Sequence, residues 1–155
     1  ARYGKPVLTD ELLVQASTWG TKEYLALETL LKGKEISLPD GAFYHDKEGT
    51  LRTVMRTQWW GNTGSYRDCY MGPEEARDNI PDVPIVGDPL VHYSRDEIPV
   101  FIGHYWLDGV PKPLANNIAC LDYSVAKPGG SLVAYLFDGE RAIDDSKYVA
   151  VDRIN

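Results

Sequence analysis

Residues 9 to 33 of this 155-residue chain show the hydrophobic spacing of two short helices. Thr9 and Thr21 each precede two charged residues, and a threonine hydroxyl in this place accepts a hydrogen bond from the first helical turn. After each threonine, apolar residues recur three and four positions apart, which places them on one helix face. Gly33 follows the second run and is a typical helix terminator, because glycine adopts a positive φ without strain. The pattern predicts a helical hairpin over residues 9 to 33.

From residue 43 the apolar positions alternate, which indicates β-strands. Residues 43–45 and 51–60 are joined by Asp46-Lys47-Glu48-Gly49, a loop with glycine where a hairpin bulge requires it. Alternation along the second strand puts Arg52 and Arg56 on the same face. The sequence therefore predicts a β-hairpin that carries two arginines side by side.

The segment from residue 72 to residue 99 is rich in proline and acidic residues, which interrupt regular strand ladders. It predicts a long surface excursion within one domain. Beyond it, four short apolar runs bounded by turn residues predict the core strands of a sheet. These runs are residues 99–102, 118–121, 131–137 and 148–151. Glycine-containing turns between the last three runs favour antiparallel neighbours.

These elements predict a single domain over residues 1–155 of the α/β class, with an α+β arrangement in this stretch. The expected order is a helical hairpin, a β-hairpin and then mostly antiparallel strands. The 16 basic and 23 acidic side chains give a formal charge of -7, which opposes nucleic-acid binding. No apolar run approaches the ~20 residues that cross a bilayer, so no membrane contact is expected. Two cysteines and no signal-like segment favour a cytoplasmic location.

The three histidines differ in their surroundings. His104 follows the apolar run at 100–102 and Gly103, which lets the backbone turn sharply. Ligands in sheet proteins collect beyond the carboxyl ends of strands, and imidazole is the commonest nitrogen donor to metals. His104 is therefore a candidate metal ligand. His45, beside a turn, and His92, at the end of the proline-rich segment, are interpreted as ordinary polar residues.

Three charged residues are further candidates, each with two open interpretations. Asp122 follows the apolar run at 118–121, so its carboxylate is either a hydrogen-bond partner of the backbone or a group that faces the same edge as His104. Arg52 and Arg56 either bind a phosphate group bidentately or lie on an exposed strand face without a ligand. We retain Arg52 and Arg56 as candidate substrate contacts and Asp122 as a candidate supporting residue behind the metal ligand.

Three segments stand out in the C-terminal half: Val-Phe-Ile-Gly-His-Tyr-Trp at 100–106, Asn-Ile-Ala-Cys-Leu-Asp-Tyr-Ser at 117–124 and Gly-Ser-Leu-Val-Ala-Tyr-Leu-Phe-Asp-Gly-Glu at 130–140. Together they closely resemble the end of bacterial calcineurin-like metallophosphoesterases. The similarity extends upstream through residues 30–33, 38–41, 46–49 and 56–60, so it covers nearly the whole chain. The relevant branch is the one similar to serine/threonine protein phosphatases and diadenosine tetraphosphatases.

The resemblance implies a fold and a metal site. The fold would be the C-terminal part of a β-sandwich flanked by helices. Gly103-His104 resembles the last metal motif of the family, so His104 would ligate one of two divalent ions such as manganese, iron or zinc. The implied substrate is a phosphate ester of the protein or dinucleotide type. Many relatives have a second histidine two positions later, where this chain has Trp106, but the phosphatase-like branch uses one.

The Gly-Asp-x-His, Gly-Asp-x-x-Asp-Arg and Gly-Asn-His-Glu motifs of the family do not occur in this sequence. Two-metal hydrolysis holds its cations about 3.5 to 4 Å apart, and a single imidazole cannot build that cage. We therefore expect the C-terminal portion of such an enzyme, with weak or no metal binding and little activity by itself. The alternative hypothesis is a stand-alone binding or interaction module without catalysis. An exposed sheet edge would favour a homodimer in either case.

Overall fold

The structure is a computed structural model that describes residues 8–46, 48–61, 64–87 and 93–154. Its helical elements are α1 (Asp10–Ser17), α2 (Lys22–Lys32), α3 (Tyr66–Cys69) and two 3₁₀ helices at Glu74–Asn79 and Asp145–Lys147. Within the described residues, no helix is long and apolar enough to cross a membrane.

The predicted helical hairpin is confirmed. The Thr9 hydroxyl accepts a hydrogen bond from the Leu12 amide at 3.2 Å, and the Thr21 hydroxyl accepts one from the Tyr24 amide at 3.1 Å. Gly33 ends α2 with φ of +87°. The two helices contact each other but bury none of their own residues against the part of the chain that the structure describes. Their apolar face is therefore formed but left uncovered.

Nine short strands are present among the described residues. They are β1 (Glu35–Ser37), β2 (Tyr44–His45), β3 (Leu51–Arg52), β4 (Val54–Arg56), β5 (Val100–Ile102), β6 (Ile118–Cys120), β7 (Asp122–Tyr123), β8 (Ser131–Tyr135) and β9 (Tyr148–Asp152). They form four small sheets: β1 with β4, β2 with β3, β5 with β6, and β7-β8-β9 in that order. Only the β5–β6 pair is parallel among these pairings. The expected mixture of helices and mostly antiparallel strands is confirmed.

The predicted β-hairpin forms only in its first part. Strand β2 pairs with β3, but the second strand does not continue to residue 60. At Thr53 the chain changes partner, because the Thr53 carbonyl accepts a hydrogen bond from the Leu38 amide at 2.8 Å and β4 then pairs with β1. Arg52 and Arg56 consequently lie in different sheets, so the prediction that they share a strand face is wrong.

Buried side chains form two clusters. The Met55 cluster draws its members from β1, β2, β4, α3, the 3₁₀ helix at Glu74–Asn79 and residues that directly follow these elements: Ile36, Leu38, Tyr44, Met55, Tyr66, Cys69, Tyr70, Ala76 and Ile80. The Tyr105 cluster contains Trp60, Tyr105, Ile118 and Cys120, with partly buried neighbours around it. The second cluster includes the first and last residues of β6, Ile118 and Cys120.

The proline-rich segment from 72 to 99 is not wholly a surface excursion. Its 3₁₀ helix places Ala76 in the Met55 cluster, and Ile80, which directly follows the helix, joins the same cluster. Residues 88–92, including His92, lie outside the described residues. The surface interpretation is therefore wrong for the first part of this segment.

The apolar runs predicted as core strands differ in burial. All three residues of β6 are buried, whereas every residue of β9 after Tyr148 is exposed, and Val151 is 60% exposed. An apolar strand is buried only if another layer packs on it, and no described element covers β9 in this way. The prediction of a core strand is confirmed for β6 and wrong for β9 in the described fold.

Candidate functional site

The parallel pairing of β5 and β6 brings two of the predicted site residues to one edge. The register pairs Val100 with Ile118 and Ile102 with Cys120, so the carboxyl ends of both strands lie together. His104 follows β5 through Gly103, and Asp122 follows β6. A Cβ atom added to Gly103 would lie 3.9 Å from the Cβ atom of Asp122. This is the edge at which parallel sheets usually bind ligands.

The turn after β5, residues 103–106, has an unusual backbone. His104 has φ of +67° and Trp106 has φ of +53°, both in the left-handed region that non-glycine residues rarely occupy. Each such residue costs of order 1–3 kcal/mol and persists only where its surroundings hold it. Tyr105 lies between the two and is buried in the cluster named after it. We call residues 103–106 the His104 turn.

Arg56 contacts the His104 turn from the side of β4. Its Nη1 donates a hydrogen bond to the His104 carbonyl, and its Nη2 lies 3.4 Å from Glu35 Oε1. The guanidinium carbon lies 5.3 Å from the centre of the Tyr105 ring, within cation–π range. The Arg56 guanidinium is therefore bound to the protein on several sides.

Asp122 contacts the same turn from the side of β7. Its Oδ2 accepts a hydrogen bond from the Trp106 amide at 3.2 Å, and its Oδ1 accepts one from the Ser124 amide at 3.1 Å. Its backbone carbonyl accepts a further bond from the Leu107 amide at 3.1 Å. Asp122 is thus a hydrogen-bond partner of the backbone, and it also lies at the His104 edge.

The electrostatic surroundings favour a neutral His104 ring. Partial desolvation lowers the pKa of His104, and the nearby cations Arg56 and Lys32 lower it further, while Asp122 acts in the opposite direction. The side chain is nonetheless exposed to solvent. A neutral, exposed imidazole has a free nitrogen lone pair at neutral pH, which is the form that binds a metal.

Tyr105 anchors the His104 turn in the interior. Burial raises the pKa of Tyr105 to about 12, so its hydroxyl stays protonated, and it donates a hydrogen bond to the Thr57 carbonyl at 3.4 Å. The ring packs so closely against Gly33, at the end of α2, that a Cβ atom there would overlap its hydroxyl. The turn is therefore attached to α2 as well as to β4 and β7.

Trp106 and Lys127 extend the site on its exposed side. Trp106 is 44% exposed, and its ring lies 6.2 Å from the His104 ring, edge to face. Lys127 Nζ lies 4.1 Å from the centre of the Trp106 ring and 3.3 Å from Glu48 Oε1. The sequence patterns did not identify Lys127, Lys32 or the anchoring role of Tyr105. Only the Tyr105 contact has a signal in the sequence, namely Gly33, whose lack of a side chain leaves room for the Tyr105 hydroxyl.

The structure joins Arg56, His104 and Asp122 but gives Arg52 other partners. Arg52 Nε donates to Asp46 Oδ2 at 2.8 Å in the β2–β3 hairpin, and no described contact connects Arg52 to the His104 turn. His45, in the same hairpin, lines a cavity of about 260 Å³ that shares no residue with the His104 turn. Within the described residues, no group of three or more His, Cys, Asp or Glu side chains could hold a metal.

Comparison with known proteins gives no match. No family model matches the chain, and neither a curated protein nor a solved structure matches it.

Proposed function

We propose that this chain is the C-terminal part of a metal-dependent phosphoesterase in which His104 ligates one of two divalent metal ions. The observation that carries the proposal is the solvent-exposed imidazole of His104 at the carboxyl ends of β5 and β6. A pair of ions such as manganese, iron or zinc would supply an activated hydroxide and a clamp for the phosphate group. In this proposal His104 supplies one donor, and the other donors would come from the N-terminal portion that the resemblance implies.

The charges near His104 are of both signs. Arg56 and Lys32 lower the pKa of His104 after desolvation, Asp122 and Glu28 act in the opposite direction, and the two cations are paired with Glu35 and Glu28. The proposed substrate, a phosphate ester of the protein or dinucleotide type, therefore rests on the sequence resemblance. Direct contacts of Arg52 and Arg56 with the phosphate remain a prediction, and Arg56 already binds Glu35 and the His104 carbonyl.

The proposed whole is a β-sandwich flanked by helices in the cytoplasm. Support for additional covering layers comes from apolar side chains that remain exposed on α2 and β9, including Leu30 at 80% and Val151 at 60%. Exposed apolar patches of this kind usually pack against further protein. Additional elements over β9 and the helical hairpin would bury them and would bring the missing metal donors.

The test uses the gene product that contains this chain. Manganese-dependent hydrolysis of p-nitrophenyl phosphate is measured for the parent, for His104→Ala and for the control His45→Ala. We expect His104→Ala to lower kcat/KM by about 100-fold or more, because even residues that only support metal ligands cost 10- to 100-fold when removed. His45 lies in a different hairpin, so its variant should retain the parent rate. Equal activity of all three proteins would remove His104 from the site.

A second candidate function is a binding module without catalysis. The exposed apolar residues of the helical hairpin favour it, because they offer a ready docking surface whatever the His104 turn does. The same assay separates the two candidates. A parent protein that hydrolyses no phosphate ester with manganese, while its self-association or partner binding depends on Leu30, would favour the module over the enzyme.

A further inference from the structure

We propose that Arg56 and Asp122 are a pair of positioning residues that hold the His104 turn in its left-handed conformation from opposite sides. Their importance for a metal ligand rests on the proposed function, but the conformational claim does not. The pair would fix the place of the imidazole before any metal or substrate arrives.

The left-handed backbone at two positions requires an external cause. His104 and Trp106 both have Cβ atoms, which crowd the backbone at positive φ, so neither residue favours this conformation by itself. Glycine would adopt it freely, yet the chain has glycine only at position 103 of this turn. The neighbouring side chains must therefore supply the stabilisation.

Arg56 is well placed to act on the first of these residues. The register of β1 and β4 sets Glu35 directly opposite Arg56, and Glu35 contacts the guanidinium at 3.4 Å. Met55, the preceding residue, is completely buried and fixes β4 in the interior. These contacts within the β1–β4 sheet place the guanidinium where it donates to the His104 carbonyl.

Asp122 acts on the second residue. One carboxylate oxygen accepts from the Trp106 amide and the other from the Ser124 amide, so the carboxylate joins the turn to the backbone after β7. The Ser124 hydroxyl donates to the Leu107 carbonyl at 3.0 Å, which closes the connection on the far side of Trp106. The turn therefore contacts one charged group at His104 and another at Trp106.

This role differs from that of a phosphate contact in what it predicts. Replacing a residue that only binds the phosphate changes KM and leaves the backbone of the turn as it was. Replacing a positioning residue changes the backbone of His104 and Trp106 even without substrate. The distinction makes Arg56 testable apart from catalysis.

The first experiment measures the backbone directly. In the gene product that contains this chain, histidine and tryptophan are labelled with ¹³C and ¹⁵N, and the backbone shifts of His104 and Trp106 are recorded by NMR. We expect Arg56→Gln, Arg56→Lys and Asp122→Asn each to move these shifts away from left-handed values. Arg56→Lys keeps the charge but cannot reach His104 and Glu35 together, so it serves if Arg56→Gln does not fold. The control is Arg52→Gln, which should leave the shifts unchanged.

The second experiment is a rescue. Asp122→Asn should weaken Mn²⁺ binding, measured by calorimetry, by about 10- to 100-fold. Trp106→Gly removes the cost of positive φ at that position, so adding Asp122→Asn to Trp106→Gly should weaken binding by less than about threefold. The proposal would be overturned if Asp122→Asn weakened Mn²⁺ binding as much in the Trp106→Gly variant as in the parent. Unaltered His104 and Trp106 shifts in the Arg56 and Asp122 variants would also overturn it. If the parent binds no Mn²⁺, the phosphoesterase proposal fails, and the NMR shifts still decide this one.

Discussion

The Met55 cluster and the helical hairpin differ in what covers their apolar side chains. Met55 and Ile80 are fully buried and meet through segments that are distant in sequence. Leu30 and Trp19, in and next to the hairpin helices, are 80% and 86% exposed. The hairpin is held by local devices, namely its threonine caps and its own backbone hydrogen bonds. Local sequence signals can therefore form a helix fully without burying any of its side chains.

The largest expected effect comes from opening the Met55 cluster. Met55→Ala should lower the free energy of unfolding by about 2–5 kcal/mol, because it removes a fully buried side chain and leaves a cavity. The control is Val54→Ala, one residue earlier in β4 and exposed, which should cost less than about 1 kcal/mol. Urea denaturation followed by circular dichroism measures both. Equal losses of stability in the two variants would mean that β4 does not bury Met55 and expose Val54 as described.

A smaller effect is expected at the connection between β8 and β9, which is held by ion pairs. Desolvation acts to raise the pKa of Glu140, but hydrogen bonds from Tyr135 and Lys147 outweigh it and hold the pKa well below its usual value. A carboxyl with a lowered folded-state pKa contributes stability above its unfolded-state pKa of about 4.3 and loses it as the pH falls through the folded-state value.

Lowering the pH from 6 to 3 should therefore reduce the stability of the parent more than that of the Glu140→Gln variant. The urea midpoint of each protein at each pH measures the two losses. Glu97→Gln alters an exposed glutamate outside this network and should follow the parent. A Glu140→Gln variant that loses as much stability in acid as the parent would show that the Glu140 contacts do not form in solution.

The smallest effect on stability is expected in the helical hairpin. In the 155-residue chain, Leu30→Gln should change the free energy of unfolding by no more than about 0.5 kcal/mol, because the side chain is exposed there. It should instead reduce self-association in sedimentation velocity, since it removes apolar surface. Glu11→Gln, on the other helix of the hairpin, is the control and should leave association unchanged. A loss of more than about 2 kcal/mol for Leu30→Gln would reveal that Leu30 is covered in solution.

The helical hairpin could be predicted from the sequence because its signals are local. Thr9, Thr21 and Gly33 each act within one turn of their own position. The change of partner at Thr53 could not be predicted, because it depends on β1, a three-residue strand that precedes it by 16 residues and has no periodic signature. Pairing between short strands is decided by what else packs nearby, which a single sequence does not display.

The candidate site also contains features that the sequence predicted and features that it could not predict. That His104 and Asp122 lie at one edge followed from their places after two apolar runs. The contact of Arg56 with the His104 carbonyl joins residues 48 positions apart, and no spacing rule anticipates it. The same is true of Gly33 and Tyr105, whose close approach depends on where α2 ends in space. Sequence patterns locate candidate residues, but the contacts that hold them arise from the tertiary fold.

The two buried clusters have one practical consequence, since each contains a single buried cysteine. Burial raises the pKa of the Cys120 thiol to about 11, so almost no reactive thiolate is present there at neutral pH. A thiol-specific label would modify Cys69 or Cys120 only while the surrounding residues are transiently separated. The labelling rates of the two sulfur atoms would therefore report how often each buried cluster opens, without any substitution in the protein.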